Sequence, residues 1–300
     1  MSSSINLIDS IEDEPVAEPN KATWCSKICL DGQIVGIETP FGNVWSSAFT
    51  NGLCFSETML CRGNSPYSWR EHYYNILDAL KALNIKSDNT LNANQLLRRI
   101  EVLSQKNHYP PYSIVRITIW QQEPNEIHYN ILQQRLSEIP YNATPNEKLI
   151  LLPYNENQMN DTTFAWIERP DILQTIAHQS ALQQDYHAAC LFNNRNEIVT
   201  TTIGNLYIIR NMQVTGVQYQ NGAHRYTIEQ YVEKVVQEYG YKINYVSAGL
   251  TMQMLKEAQE CIVVNDTFGI KSITGIGNAV RYTKDNAIKL ALKLRKMFEF

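Results

Sequence analysis

The segment Ile139 to Lys148 interrupts the chain with Pro140, Asn142, Pro145 and Asn146. Proline fixes φ and removes an amide donor, so neither a helix nor a central strand runs through this stretch. It divides 300 residues into two clusters of mixed helical and strand pattern. The division predicts an α+β chain with a polar tail over 1–22 and a small N-terminal α/β domain over 23–140. A linker over 141–148 then leads to a larger C-terminal α/β domain with a mixed sheet over 149–300.

Within the first cluster, Ser26 to Val35 reads as a hairpin turning at Asp31-Gly32, and Val44 to Leu60 as strand-rich. Trp69 to Leu83 carries Ile76, Leu77, Leu80 and Leu83 at helical spacing. Leu91 to Leu103 is a second helix, with Asn92 or Asn94 as its cap. The β-branched run Ile114, Val115, Ile117, Ile119 marks a strand, while Ile127 to Ser137 fits either state.

In the second cluster, Leu149–Pro153 reads as a strand followed by a polar loop over Asn155–Thr163. Helices are expected over Pro170–Gln184, Arg225–Tyr239, Leu250–Ala258 and from Lys284 onward. Strands are expected over Ala188–Asn193, Ile198–Thr202, Leu206–Ile209, Met212–Gly216, Tyr241–Val246 and Glu260–Asn265. Gly275-Ile276-Gly277-Asn278-Ala279 reads as a turn.

A net charge of −4 offers no basic patch for nucleic acid. Lys289 to Lys296 reads as the solvated face of a terminal helix. No apolar run reaches the roughly 18–20 residues of a membrane span. Met1 to Asn20 is acidic and polar with no apolar signal core, so a cytoplasmic location and a disordered tail are expected. Cys25, Cys29, Cys54, Cys61, Cys190 and Cys261 form no CxxC pair. They read as free, mostly buried thiols, and no metal site is expected.

Five motifs then occur in order: Phe55-Ser56-Glu57-Thr58; Glu71-His72; Cys190 to Asn194 running on to Gly204-Asn205-Leu206-Tyr207; Gly222-Ala223-His224-Arg225; and Val264 to Ile270. Together they resemble the class IV aminotransferases over about residues 26 to 280. That family contains branched-chain and D-amino-acid aminotransferases and aminodeoxychorismate lyase. The resemblance implies the two-domain fold of that family, a homodimer, and pyridoxal phosphate in the cleft between the domains.

The resemblance also implies four anchors for that cofactor, and three are missing. No lysine occurs between Lys148 and Lys234. The family's Schiff-base lysine falls at or beside Ile167, and an isoleucine cannot form an imine. The glutamate that holds the pyridine nitrogen falls on Thr200; Glu197, three positions away on a strand, points to the other face. The phosphate arginine falls on Asn75. Asp266 sits in the phosphate loop, where an ionised carboxylate repels a phosphate. What survives is the amides near Ala223 and His224 at an expected helix start, and Thr267.

Three functions follow from the resemblance and these losses, and whether the chain is an enzyme at all stays open. The first is a homodimer that is not a conventional pyridoxal-phosphate enzyme. It expects no cofactor and takes a small anionic metabolite in the cleft, with Arg169 and Ser56 as ligand-binding positions. The second is an active aminotransferase or 4-amino-4-deoxychorismate lyase that binds pyridoxal phosphate through a relocated lysine, with Lys271 as the candidate. The third is cofactor-free chemistry by Arg169, Glu168, His224 and Asp266. His72, His178 and His187 are expected to be structural, as is Arg225 beside the loop.

Overall fold

The computed structural model describes residues 22–39, 48, 51–86, 91–123, 126–141, 148–159, 164–169, 171–278 and 280–298. The expected N-terminal tail except Ala22, which begins the first strand, most of the linker and Pro170 lie outside the described residues.

The first cluster builds one seven-stranded antiparallel sheet. Its strands are β1 (Ala22–Trp24), β2 (Lys27–Leu30), β3 (Gln33–Gly36), β4 (Cys54–Arg62), β5 (Ser65–Pro66), β6 (Tyr112–Glu123) and β7 (Glu126–Leu136). The order is β3-β2-β7-β6-β4-β5, with β1 also on β7. β6 and β7 pair from Ser113↔Arg135 to Glu123↔Glu126, and this hairpin settles Glu126–Leu136 as strand. Helix α1 (Trp69–Ala82) buries His72, Asn75, Ile76, Ala79 and Leu80, the stripe of a 3.6-residue period. Helix α2 (Ala93–Lys106) is capped by Asn92, whose side chain accepts the Asn94 amide. It buries Leu96, Ile100 and Leu103 in the same core, and Ile167 from the second cluster joins them.

The second cluster forms two five-stranded sheets. Strands β8 (Ile150–Met159), β9 (Ala188–Asn193) and β10 (Ile198–Thr201) stand in one sheet with the short β16 (Gly275–Ile276) and β17 (Val280–Arg281), in the order β10-β9-β8-β16-β17. The other sheet contains β11 (Asn205–Arg210), β12 (Gln213–Val217), β13 (Lys242–Val246), β14 (Glu260–Asn265) and β15 (Gly269–Ile273), in the order β13-β12-β11-β14-β15. Parallel pairs β8·β9 and β12·β13 make both sheets mixed. Helix α3 (Ile172–Gln183) lies on β8 and β9, with Ala177 and Ala181 buried against Leu152, Tyr154 and Leu191. Helices α4 (Glu229–Glu238) and α6 (Asp285–Met297) cover β11 and β14 on one face. The short helix α5 (Met252–Glu257) packs with the core on the other. No described helix is long and apolar enough to cross a membrane.

Four local expectations change. The polar run from Asn155 continues β8 as far as Met159, because β9 supplies a ladder partner (Met159↔Asn193) and pairing overrides polarity. The β11–β12 hairpin turns at Asn211-Met212, one residue later than expected, with Arg210 paired to Gln213. Gly275-Ile276 is a strand, in register with Ile150 and Leu151; a Cβ on Gly275 would lie 2.8 Å from the Val280 carbonyl oxygen. Helix α4 begins at Glu229 rather than Arg225, because the preceding amides serve tertiary partners. Arg225 N donates to the Trp166 carbonyl, and Thr227 N and Ile228 N donate to Asp266. All six cysteines are free, and five are buried.

Gly216 on β12 lies against the ring of Tyr207, where an added Cβ would come within 2.3 Å of a ring carbon. Gly216→Ala is expected to destabilise the protein by about 1–3 kcal/mol through overpacking, read as a lower urea midpoint.

Candidate functional site

The expected site residues converge where the seven-stranded sheet meets the C-terminal sheets. Strand β4 brings Ser56, Glu57 and Thr58; the segment 164–169 brings Trp166, Ile167, Glu168 and Arg169. The turn before α4 brings His224 and Tyr226, and the loop after β14 brings Asp266 and Thr267. They surround a cleft of about 660 Å³ that also takes in Arg116, Gln174, His178, Thr201 and Thr202. A narrow recess of about 20 Å³ adjoins it, lined by Glu57, Asn75, Trp166, Ile167 and Arg225 among others, and sharing Ser56, Thr58, Glu168, His224, Tyr226 and Asp266 with the cleft. The recess has room for a single water.

The segment 164–169 is bound to the first sheet on several sides. Ser56 N donates to the Glu168 carbonyl at 2.7 Å, and Thr58 Oγ1 donates to Glu168 Oε1 at 2.9 Å. Arg116 pairs with the same carboxylate at 3.2 Å and donates to Thr58 Oγ1. The Arg225 guanidinium lies over the Trp166 ring at 5.7 Å and pairs with Asp78. Ile167, held between these anchors, is 3% exposed and packs with Phe55 and Ile76.

Behind the recess runs a chain of buried polar contacts. His72 Nδ1 meets Glu57 Oε1 at 2.6 Å, and Asn75 Nδ2 donates to that oxygen at 3.1 Å. His72 Nε2 meets Thr227 Oγ1 at 3.0 Å. The Thr227 hydroxyl donates to Asp266 Oδ1 at 2.9 Å. Asp266 also accepts from Thr227 N at 3.1 Å and Ile228 N at 2.7 Å, so its carboxylate holds the two amides just ahead of α4. Burial pushes Glu57 well above the usual carboxylate range, with Asn75 opposing and Glu168 reinforcing the shift. Burial also pushes Asp266 up to about 6, against the pull of His72, and lowers His72.

On the cleft side, His224 Nε2 meets Gln174 Nε2 at 3.0 Å, and burial pushes this imidazole down to about 4. His224 N donates to Asn205 Oδ1 at 2.9 Å, and Asn205 Nδ2 returns a bond to the His224 carbonyl. Asn205 Nδ2 also reaches Glu229, which accepts the Tyr207 hydroxyl as well. Arg169 is exposed at the cleft mouth, with no carboxylate partner among the described residues.

Ser56, Asn75, Ile167, Arg169, His224, Asp266 and Thr267 therefore lie along the cleft or its recess. Thr200 and Ala223 line neither. The Thr200 hydroxyl is fully buried beneath the cleft, donating to the Gly204 carbonyl and Asn205 Oδ1. Ala223 packs with Leu206 and Leu250, and neither its amide nor that of His224 begins a helix. Lys271 lies on β15 with its ammonium over the Phe268 ring and is not among the residues lining the cleft or recess. No lysine lines the cleft among the described residues. His178 does line it, bonded to Thr202 Oγ1 at 3.1 Å, whereas His187 serves the backbone of β8. Tyr226, one of the tyrosines whose sequence positions suit either a cleft or packing, does line the cleft, whereas Glu57 carries no signal of its own as a site residue. Glu57 lies inside a quoted motif, but its link to His72 depends on the packing of α1 against β4.

The amino-transferase class IV family model matches residues 55–276, and the chain belongs to this family. No curated protein sequence is a match. Among solved structures, the branched-chain aminotransferase of Thermoproteus uzoniensis superposes with a TM-score of 0.79 at 17% identity, over 91% of this chain and 94% of that one. The branched-chain aminotransferase of Escherichia coli gives 0.75 at 13%, over 92% and 94%. A candidate 4-amino-4-deoxychorismate lyase of Legionella pneumophila gives 0.73 at 16%, over 87% and 96%. At such identities the likeness is one of fold.

Glu229 supplies a test of the site's floor. Burial pushes its carboxyl from 4.5 up to about 7. A raised folded value means the native state holds the proton more tightly, so this contribution to stability is full below about 4.5 and fades as pH rises through about 7. Glu229→Gln keeps an acceptor for Tyr207 and Asn205 and is expected to flatten that decline. The melting temperature of the variant should fall less than that of the wild type between pH 5 and pH 8.

Proposed function

We propose that this protein uses the class IV fold without conventional pyridoxal-phosphate chemistry, and that its cleft takes a small anionic metabolite. The observation that carries this reading is Asp266. Its carboxylate occupies the amides ahead of α4, the type of helix-start position at which a cofactor phosphate would be held. A phosphate brought there would meet this carboxylate and Glu57 in a recess of about 20 Å³. Asn75, at the position the resemblance gives to the phosphate arginine, is uncharged and bonded to Glu57. Ile167, at the position it gives to the lysine, is part of a hydrophobic core. Thr200, at the position it gives to the pyridine glutamate, carries no charge and bonds within its own loop. The residues present do not fit the cofactor, and no step is assigned to it.

Arg169 supports the anionic ligand, as a cation at the cleft mouth without a carboxylate partner among the described residues. The homodimer suggested by the resemblance remains part of the proposal. Ile172 (74% exposed), Ile176 and Phe164 offer apolar surface beside the cleft that a second copy would cover.

Two measurements test this reading. Purified protein mixed with pyridoxal phosphate is expected to show no aldimine absorbance and, after borohydride, no lysine adduct by mass spectrometry; a stable adduct on any lysine would overturn the proposal. In thermal-shift titrations with acetate, pyruvate and succinate, at least one should raise the wild-type melting temperature, and Arg169→Ala should abolish that rise. Indifference of the wild type to all three removes the anionic-ligand part.

A further inference from the structure

The polar chain behind the recess admits one consistent arrangement of protons. Ionised, Asp266 only accepts, and it receives Thr227 N, Ile228 N and the Thr227 hydroxyl. The single hydroxyl proton of Thr227 is thus committed to Asp266. Its oxygen then faces His72 Nε2, 3.0 Å away, as an acceptor, so Nε2 carries a proton. One further proton lies in the 2.6 Å contact between His72 Nδ1 and Glu57 Oε1. Burial opposes a charged pair there, so the proton rests on Glu57 and Nδ1 accepts it. Oε1 also receives Asn75 Nδ2. Oε2 has no hydrogen-bond partner among the described residues, and Glu57 forms part of the recess wall, 14% exposed. The charged groups facing it are Glu168 and Arg225, with Asp266 further along the chain of contacts.

We propose that Glu57 is an acid–base group for cofactor-free proton transfer on a small carboxylate-bearing carbon acid in the cleft, with His72, Thr227 and Asp266 as the positioning chain behind it. This rests on the reading that the cleft works without pyridoxal phosphate. In the forward step the substrate C–H bond breaks and its proton passes to Glu57 Oε2. The electron pair stays on the substrate as an enolate. The proton on Oε1 moves to His72 Nδ1, giving an imidazolium balanced through Thr227 by the Asp266 carboxylate. Reversing these transfers onto a different substrate atom completes an isomerisation with no oxidant or reductant. Arg169 at the mouth supplies the charge for the substrate carboxylate.

The test uses 5-nitrobenzisoxazole, which opens on loss of one C–H proton. That proton goes to Glu57 Oε2, the C–H pair completes a nitrile, and the N–O bond breaks with its pair left on the phenolate oxygen. The wild type is expected to exceed E57Q by about 100-fold, the lower end of the usual general-base contribution. T227V should lose most of the rate and T227S should restore it, with circular dichroism confirming that each variant is folded. In ¹⁵N NMR, wild-type His72 should be the Nε2–H tautomer, and T227V should mix the two tautomers. Equal rates in wild type and E57Q, unaffected by borohydride, overturn this proposal alone, as does an Nδ1–H tautomer in the wild type. A rate abolished by borohydride overturns the cofactor-free reading and this proposal with it.

Discussion

The Asp266 carboxylate organises the site because it works in two directions at once. On one side it satisfies the Thr227 and Ile228 amides, just ahead of the first residue of α4. Its own backbone carbonyl accepts the Tyr141 hydroxyl at 2.9 Å, from where the chain leaves the first sheet. Toward the recess it takes the Thr227 hydroxyl, whose oxygen meets His72 Nε2, and His72 Nδ1 in turn meets Glu57. Four titratable or hydroxyl groups on β4, α1, the α4 start and the loop after β14 thereby act as a unit. Removing one member would leave others buried without partners, a loss much larger than that of one surface bond.

A second constraint comes from the segment 164–169. It belongs to the second cluster by sequence but is held by the first sheet, through Ser56, Thr58 and Arg116 to Glu168 and through Ile167 to the hydrophobic core around Phe55. This clasp narrows the recess to about one water and leaves the larger volume outside it. The cleft thus offers a polar outer chamber with Arg169 at its mouth and a small inner niche with Glu57 in its wall. Such a division suits a small ligand that projects one reactive atom inward.

Much of the fold was legible because local periodicity and burial agree. The stripe in α1, the β-branched run in β6 and the Asn92 cap each follow from short-range chemistry. The misplaced boundaries share one cause. Residues 155–159, Gly275-Ile276 and the α4 start are decided by partners far along the chain: β9, β8 and Asp266. Most of the expected site residues do meet at the cleft, because motif order reflects which loops face it. Thr200 and Ala223 do not, since on a short, fully buried strand and turn the direction of each side chain is set by packing.

The sequence alone determined the family, the mixed α and β composition and the absence of lysine across Lys148 to Lys234. It also identified Asp266 as an acid where a phosphate loop was expected. Only the tertiary structure decided what that acid does. A carboxylate near an anion site could repel a ligand, face solvent or substitute for the anion, and these differ by a few ångströms of placement. The fold brings Asp266 within 2.7 Å of a helix-start amide and connects it through two side chains to Glu57, fifteen residues before His72 on another element. Hydrogen bonding is directional and short-ranged, so its consequences become readable only after chain folding has brought the partners together.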